Sequence, residues 1–110
     1  MILESTPAGW TLPETLQLLA DSGDADFVAE IVAMFKTDTA RRLLLLREAL
    51  ARLDGAQVKH QAHTIKGSAI QVGATSLAAI CQQIETEART QSALEELARQ
   101  AEADFEQLAG

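Results

Sequence analysis

Residues 57–72 read QVKHQAHTIKGSAIQV, and the interpretation of the rest of the chain starts from this stretch. On a helix of about 3.6 residues per turn, its apolar residues recur at spacings of four, three, four and three and form one continuous stripe. The stripe consists of Val58, Ala62, Ile65, Ala69 and Val72. His63 lies on the opposite side of the helical wheel. The pattern therefore predicts a helix that ends before Gly73, buries the stripe and exposes the imidazole.

The residues that follow His63 on the exposed face suggest a site for an anion. Lys66 comes one turn later, where its ammonium can reach a group carried on the imidazole. Gly67 destabilises a helix by about 0.5–1 kcal/mol relative to alanine, so helix stability does not explain it. A glycine at this position would let a partner backbone or a bulky anion come close to the imidazole. We therefore predict that a tetrahedral anion binds beside Lys66 and Gly67.

The motif HTIKGS at residues 63–68, followed by GA at 73–74, resembles the signature of histidine-containing phosphotransfer (HPt) domains of bacterial and plant phosphorelays. The similarity extends into both flanks and covers about residues 20–90, which makes it more specific than a bare H-x-x-K-G. The flanking positions that share it are Phe27, Phe35, residues 43–50, Leu77, Cys81, Ile84 and Glu85. This resemblance implies a helical bundle with a phosphorylated histidine.

The chemistry of an exposed histidine is compatible with that role. A neutral imidazole is a nucleophile near pH 7, and phosphoryl transfer requires mainly positioning and charge stabilisation. By resemblance, His63 would take a phosphoryl group from a phosphoaspartate of one receiver domain and pass it to an aspartate of another. The implied partners are response-regulator receiver domains and a hybrid sensor kinase. Mg²⁺ would come with the receiver, because we expect no acidic cluster beside His63 and no cofactor on this chain.

The partner is expected to bind the face that carries His63. Ile70 lies two turns away on that face, outside the apolar stripe, and is the first candidate for partner contact. The other candidates are Lys59, His60, Gln71 and Ala74. Residues 36–66 carry seven basic and three acidic side chains, whereas the rest of the chain carries two basic and thirteen acidic ones. The basic segment would attract acidic receiver domains mainly by raising the rate of encounter.

Several features indicate that the chain is a phosphoryl carrier without autokinase activity. We therefore expect that it is not an enzyme. Neither G-x-x-x-x-G-K-[ST] nor G-x-G-x-x-G occurs, and 110 residues leave no room for a nucleotide-binding domain. His63 is followed by Thr64 and not by an acidic residue, which departs from the phosphoacceptor helices of sensor kinases. The chain is therefore expected to relay phosphate without taking it from ATP.

The remaining sequence predicts an all-α fold, an antiparallel four-helix bundle with a short additional N-terminal helix. Residues 1–10 read as an extended lead-in, and residues 11–110 as one domain. The predicted helices run from a capping box at Thr11 to Asp21, from Asp24 or Asp26 to Leu53, from Gln57 to Val72, from Thr75 or Ser76 to Ala88, and from a capping box at Ser92 to Leu108. Gly23 and Gly55 are expected to separate the first three. Short connections favour antiparallel neighbours.

Composition limits the possible partners and location. The net charge of −7 argues against nucleic acid as the main partner, and no apolar run approaches the ~18 residues of a membrane span. A single cysteine fits a reducing compartment, so we expect a cytoplasmic protein, monomeric by resemblance. Cys81 is expected to be a small buried apolar residue.

Two other functions remain open. One is a metal or cofactor site in which His60 and His63, one turn apart, are joined by a carboxylate from elsewhere. It is disfavoured because both histidines lie on the polar face, away from the interior of a bundle. The other is a helical adaptor, or a degenerate phosphotransfer domain, that binds receivers without accepting phosphate.

Overall fold

The computed structural model describes residues 13–87 and 89–109, and within these ranges the chain folds as helices without a β-strand. The helices are α1 (Glu14–Leu19), α2 (Ala25–Ala51), α3 (Gly55–Val72), α4 (Thr75–Thr86) and α5 (Gln91–Ala109). Helix α3 packs between α2 and α4, and α5 closes the bundle against α4 and α2. The predicted all-α bundle with a short additional N-terminal helix is confirmed. Thr11, the predicted cap of the first helix, and Ala88 lie outside the described residues.

The core forms around the apolar stripe of α3. All five of its residues are buried, and Ile65 is 0% exposed. Leu46 and Leu50 of α2 and Leu77 and Ile84 of α4 are also fully buried, so both neighbouring helices pack on the stripe. Phe35 and Phe105 meet edge to face, with ring centroids 6.5 Å apart, and this contact joins α2 to α5. The opposite side of α3, which carries His63, faces away from this core.

The connection between α2 and α3 differs from the prediction. Helix α2 ends at Ala51, and Leu53 is exposed with φ of 60°, so it does not continue the apolar stripe of α2. The Asp54 carboxylate accepts a hydrogen bond from the Gln57 backbone N–H at 3.2 Å and caps α3. Gly55 is consequently the first residue of α3 and not the end of α2. Gly55 was predicted to end α2 because glycine often follows the end of a helix. The left-handed residue at this end is instead Leu53, and leucine rarely adopts that conformation.

The other helix ends agree only in part with the sequence. Gly73 ends α3 with φ of 81°, the left-handed cap that was predicted, and Gly23 kinks the chain between α1 and α2 with φ of 105°. The side chain of Asp24 makes no capping hydrogen bond to the described residues. Thr90 Oγ1 accepts from the Ala93 N–H at 3.0 Å, so α5 begins at Gln91, before the predicted cap at Ser92.

Candidate functional site

His63 lies on the face of α3 that points away from the bundle core. Its side chain is 67% exposed, yet one ring nitrogen is fixed by the neighbouring helix: Nδ1 lies 2.7 Å from Oε2 of Glu85 in α4. A carboxylate can only accept a hydrogen bond, so Nδ1 carries the hydrogen and donates it. The lone pair of the neutral ring is then on Nε2. The structure thus orients the imidazole and selects the nitrogen that can act as a nucleophile.

Glu85 links His63 to Lys66. Lys66 Nζ lies 2.6 Å from Oε1 of Glu85 and also donates a hydrogen bond to Oε1 of Gln82 at 2.8 Å. The Lys66 and Glu85 side chains are only 21% and 18% exposed. Within the described part of the chain, Glu85 Oε1 has no well-aligned hydrogen bond, so its contact with Lys66 is an ion pair and the aligned bond of the ammonium goes to Gln82. We call His63, Lys66, Gln82 and Glu85 the site cluster.

The charge of Glu85 is maintained by its two partners. Burial alone would raise the pKa of this carboxyl group, but the close ion pair with Lys66 and the hydrogen bond and positive charge of His63 outweigh burial and lower the pKa below its ordinary value of 4.5. Glu85 is therefore a carboxylate at neutral pH. It can stabilise positive charge on the imidazole ring.

Sequence reasoning assigned Glu85 and Gln82 no role in the site. Glu85 appeared only as a position shared with the family, and we expected no acidic cluster beside His63. The structure places one carboxylate in direct contact with the ring. The ammonium of Lys66 contacts Gln82 and Glu85 of α4, and its reach to a group carried on the imidazole stays a prediction. The periodicity of α3 gives the direction of a side chain, but not the residue of α4 that it meets.

Gly67 lies on the exposed face next to His63. A Cβ atom built on Gly67 would have no heavy atom within 4 Å among the described residues outside the backbone of its own helix, so packing inside the chain does not require glycine here. The open space agrees with the predicted clearance for an incoming group. That role remains a prediction.

The predicted partner-binding residues do not all reach the surface. Ile70 is 58% exposed, His60 and Gln71 are exposed, and Lys59 is half-buried. Ala74 is 0% exposed, so its assignment as a contact residue is wrong. The helical wheel fails at that position because the chain leaves helical geometry at Gly73 and directs Ala74 into the core, where it is the N-cap residue of α4.

Helix α2 adds a mixed apolar and charged surface that the sequence did not orient. Arg42 donates to Gln61 of α3 at 3.2 Å and to Asp38 at 2.8 Å, which fixes this part of α2 against α3. The Arg42 guanidinium is the main reason that the pKa of Asp38 is lowered, with Arg41 assisting against the effect of burial. Met34 is exposed beside them. A shallow groove of about 410 Å³ is lined by Ala33, Met34, Thr37, Asp38 and Arg41.

Three further predictions concern metal binding, membrane spans and Cys81. Among residues 13–87 and 89–109, no group of three or more His, Cys, Asp or Glu side chains is placed to hold a metal ion. No helix in the same ranges is long and apolar enough to span a membrane. Cys81 is fully buried, as predicted, and burial raises the pKa of its thiol to about 12, so the reactive thiolate is not accessible at neutral pH.

Comparison with known proteins identifies the family. The model of the Hpt domain matches residues 30–110, and the chain belongs to this family. It is 36% identical over 69 residues to histidine-containing phosphotransfer protein 5 of Arabidopsis thaliana, an alignment that covers 60% of this chain and 44% of that protein. It is also 36% identical over 70 residues to histidine-containing phosphotransfer protein 1 of Oryza sativa subsp. japonica, covering 62% and 48%. The chain thus spans less than half the length of these curated relatives.

A solved structure agrees with the same assignment. The crystal structure of histidine-containing phosphotransfer protein B (HptB) from Pseudomonas aeruginosa PAO1 superposes with a TM-score of 0.74 at 30% sequence identity. The superposition covers 86% of this chain and 84% of that one. The resemblance noted from the HTIKGS motif is therefore confirmed at the level of both family and fold.

Proposed function

We propose that this chain is a histidine phosphotransfer protein, in which Nε2 of His63 carries a phosphoryl group between aspartates of receiver domains in a two-component phosphorelay. The observation that carries the proposal is the state of the ring: an exposed imidazole whose Nδ1 is held at 2.7 Å by a carboxylate. Family membership supports the same reading. The upstream donor in this proposal is the receiver of a hybrid sensor kinase.

The transfer needs no base on this chain. The Nε2 lone pair attacks the phosphorus of the receiver phosphoaspartate, the N–P bond forms, and the P–O bond breaks to release the aspartate carboxylate. The ring gains a positive charge, and its Nδ1–H remains bonded to Glu85, whose negative charge stabilises it. Delivery to the next receiver is the reverse reaction. We place the Mg²⁺ of the reaction on the receiver, where it would neutralise phosphoryl oxygens.

The proposed docking face is the exposed side of α3. It combines one apolar residue, Ile70, with polar His60 and Gln71 and the half-buried Lys59. Such a mixture of an apolar contact and a basic rim fits an acidic receiver pocket. The proposal includes a cytoplasmic monomer without autokinase activity.

One labelling experiment tests this function. The protein is incubated with a ³²P-labelled receiver domain and, separately, with labelled ATP alone. Acid-labile label from the receiver and none from ATP supports a carrier. Receiver binding without label would favour the adaptor, and label from ATP alone would contradict the absence of autokinase activity.

Gly67→Gln is expected to slow transfer from a receiver by about 10–100-fold, because a side chain at this position obstructs the approach that positions the phosphoryl group. The helix should persist, since glutamine is a better helix former than glycine. Transfer rates and circular dichroism measure the two effects. Gly55→Gln is the matched control. A Cβ atom on Gly55 would also meet no heavy atom within 4 Å among the described residues, but Gly55 lies about two turns before His63. Equal rates for the two variants would reject the clearance role.

Glu85→Gln is expected to slow phosphoryl acceptance by about 3–10-fold, because a neutral amide accepts a weaker hydrogen bond from Nδ1–H than a carboxylate does. The same change should move the tautomer population of His63 away from Nδ1–H, which ¹⁵N NMR of the ring reports. Glu87→Gln, which removes an exposed carboxylate from the end of the same helix, should alter neither readout. An unchanged tautomer in Glu85→Gln would show that Glu85 does not position the ring.

The pH dependence of stability offers a second check on Glu85. Because its pKa is lowered in the folded protein, its stabilising contribution is complete above the ordinary value of 4.5 and is lost as pH falls through the lower folded value. The difference in free energy of unfolding between the wild type and Glu85→Gln should therefore shrink below that pH. A difference that grows on acidification would contradict the lowered pKa.

A further inference from the structure

The ammonium of Lys66 is held by two acceptors on α4, the side chains of Gln82 and Glu85. We propose that Gln82 and Glu85 hold Lys66 in the unphosphorylated protein and that a phosphoryl group on His63 draws the ammonium away from Gln82, so that Gln82 determines how stable the phosphohistidine is. This inference rests on the proposed function. It assigns Gln82 a positioning role in a reaction in which it contacts neither phosphorus nor imidazole.

The geometry sets up a competition for one cation. Lys66 follows His63 by three residues on α3, so the two side chains are neighbours on the helix surface. The Lys66 ammonium nevertheless lies 2.8 Å from Gln82 Oε1 and 2.6 Å from Glu85 Oε1, both on α4. In this inference, the ammonium gives up one of these two contacts when it turns toward a phosphoryl group on Nε2 of His63.

The phosphoryl group is the stronger acceptor in this competition. It adds close to two negative charges, and hydrogen bonds to a charged acceptor are roughly twice as strong as those to a neutral one. Glu85 Oε2 lies against Nδ1 of the ring, while Glu85 Oε1 pairs with the ammonium. The contact given up is the hydrogen bond to Gln82, because a neutral amide holds the ammonium less strongly than the Glu85 carboxylate does.

Gln82 can be changed without altering the rest of the site cluster. The described hydrogen bond of its side chain is to Lys66 and not to His63, so its substitution should leave the His63–Glu85 and Lys66–Glu85 contacts in place. Gln82→Ala would free the ammonium for the phosphoryl group. Gln82→Glu would add a carboxylate that holds the ammonium more strongly and repels the phosphoryl group. The two substitutions are thus expected to act in opposite directions.

The test compares phosphohistidine formation and lifetime. Wild type, Gln82→Ala and Gln82→Glu are each equilibrated with the same phosphorylated receiver, and the fraction carrying label is measured together with the half-life of the label after the receiver is removed. Relative to the wild type, we expect the transfer equilibrium to rise about 3–10-fold in Gln82→Ala and to fall by a similar factor in Gln82→Glu, with parallel changes in half-life. Gln83→Ala and Gln83→Glu, at the exposed next residue, are the matched controls.

A double-mutant cycle ties the effect to the ammonium. In a Lys66→Met background, Gln82→Ala should leave both the transfer equilibrium and the half-life unchanged. Changes in the Gln82 variants that equal those of the Gln83 controls, changes of the opposite sign, or an effect of Gln82→Ala that persists without Lys66 would overturn the inference. These outcomes are distinct from failure of the proposed function, which would appear as a wild type that acquires no label from any receiver and would overturn both.

Discussion

Replacing His63 with glutamine is expected to abolish phosphoryl acceptance from a phosphorylated receiver while leaving the helical bundle intact. Glutamine has no basic ring nitrogen to attack phosphorus, and loss of a nucleophile typically reduces rates by more than about 10³-fold. Stability should change little, because the His63 side chain is 67% exposed and makes its described contact only with Glu85. Acid-labile ³²P incorporation and thermal unfolding followed by circular dichroism measure the two effects.

His60→Gln provides the matched control for this experiment. His60 is also an exposed histidine on α3, three residues earlier, and its ring has no contact with Glu85 in the structure. It should still acquire acid-labile label, because the His63 nucleophile is intact, and its rate should fall only by the loss of one contact on the proposed docking face. If His63→Gln keeps the label and His60→Gln loses it, the phosphoacceptor is misassigned. Unimpaired labelling of both variants would show that neither histidine carries the phosphoryl group.

The exposure of His63 could be predicted because it depends on one helix alone. A helical period applied to residues 57–72 fixes both the buried stripe and the direction of the imidazole, and the structure confirms both. The same method failed at Ala74, because Gly73 takes the chain out of the helix before that residue. Periodicity is therefore reliable only as far as the helix continues.

Contacts between helices could not be predicted in this way. The meeting of His63 with Glu85 depends on how far α4 is shifted along α3 and how it is rotated, and neither quantity is encoded in the spacing of apolar residues. The contact of Arg42 with Gln61 likewise depends on how α2 is placed against α3. Family resemblance placed Glu85 in the shared pattern without showing what it touches. The structure adds the interhelical contact that holds Nδ1 and leaves the lone pair on Nε2.

The site cluster distributes charge in a way that suits a carrier. The single carboxylate of Glu85 lies between two groups that can be positive, the His63 ring and the Lys66 ammonium. It would thereby favour the cationic ring of the proposed phosphohistidine, and together with Gln82 it holds the Lys66 ammonium on α4. A carrier must both accept and release its phosphoryl group, so stabilisation on each side of the reaction has to be balanced.

The second large effect is expected at Ile65, where replacement by aspartate should unfold the bundle. Ile65 is 0% exposed in the centre of the α3 stripe. Losing its apolar side chain alone would cost about 2–5 kcal/mol, and an unpaired buried carboxylate adds several more. This total approaches the whole stability of a typical domain, about 5–15 kcal/mol. The helical circular dichroism signal and a cooperative thermal transition should both be lost or strongly reduced.

Ile70→Asp makes the same chemical change on the exposed face of the same helix. Comparing it with Ile65→Asp distinguishes an effect on the core from an effect on the proposed docking face. Ile70 is 58% exposed, so its substitution should alter the free energy of unfolding by only about 0.5 kcal/mol. Transfer from a receiver should nevertheless slow, because the apolar contact of the proposed docking face is replaced by a charge. Ile65→Ala, expected to destabilise without complete unfolding, extends the comparison to a folded variant. If Ile65→Asp were stable and Ile70→Asp were unfolded, α3 would be rotated relative to the core. The claim that His63 is exposed would then be rejected as well.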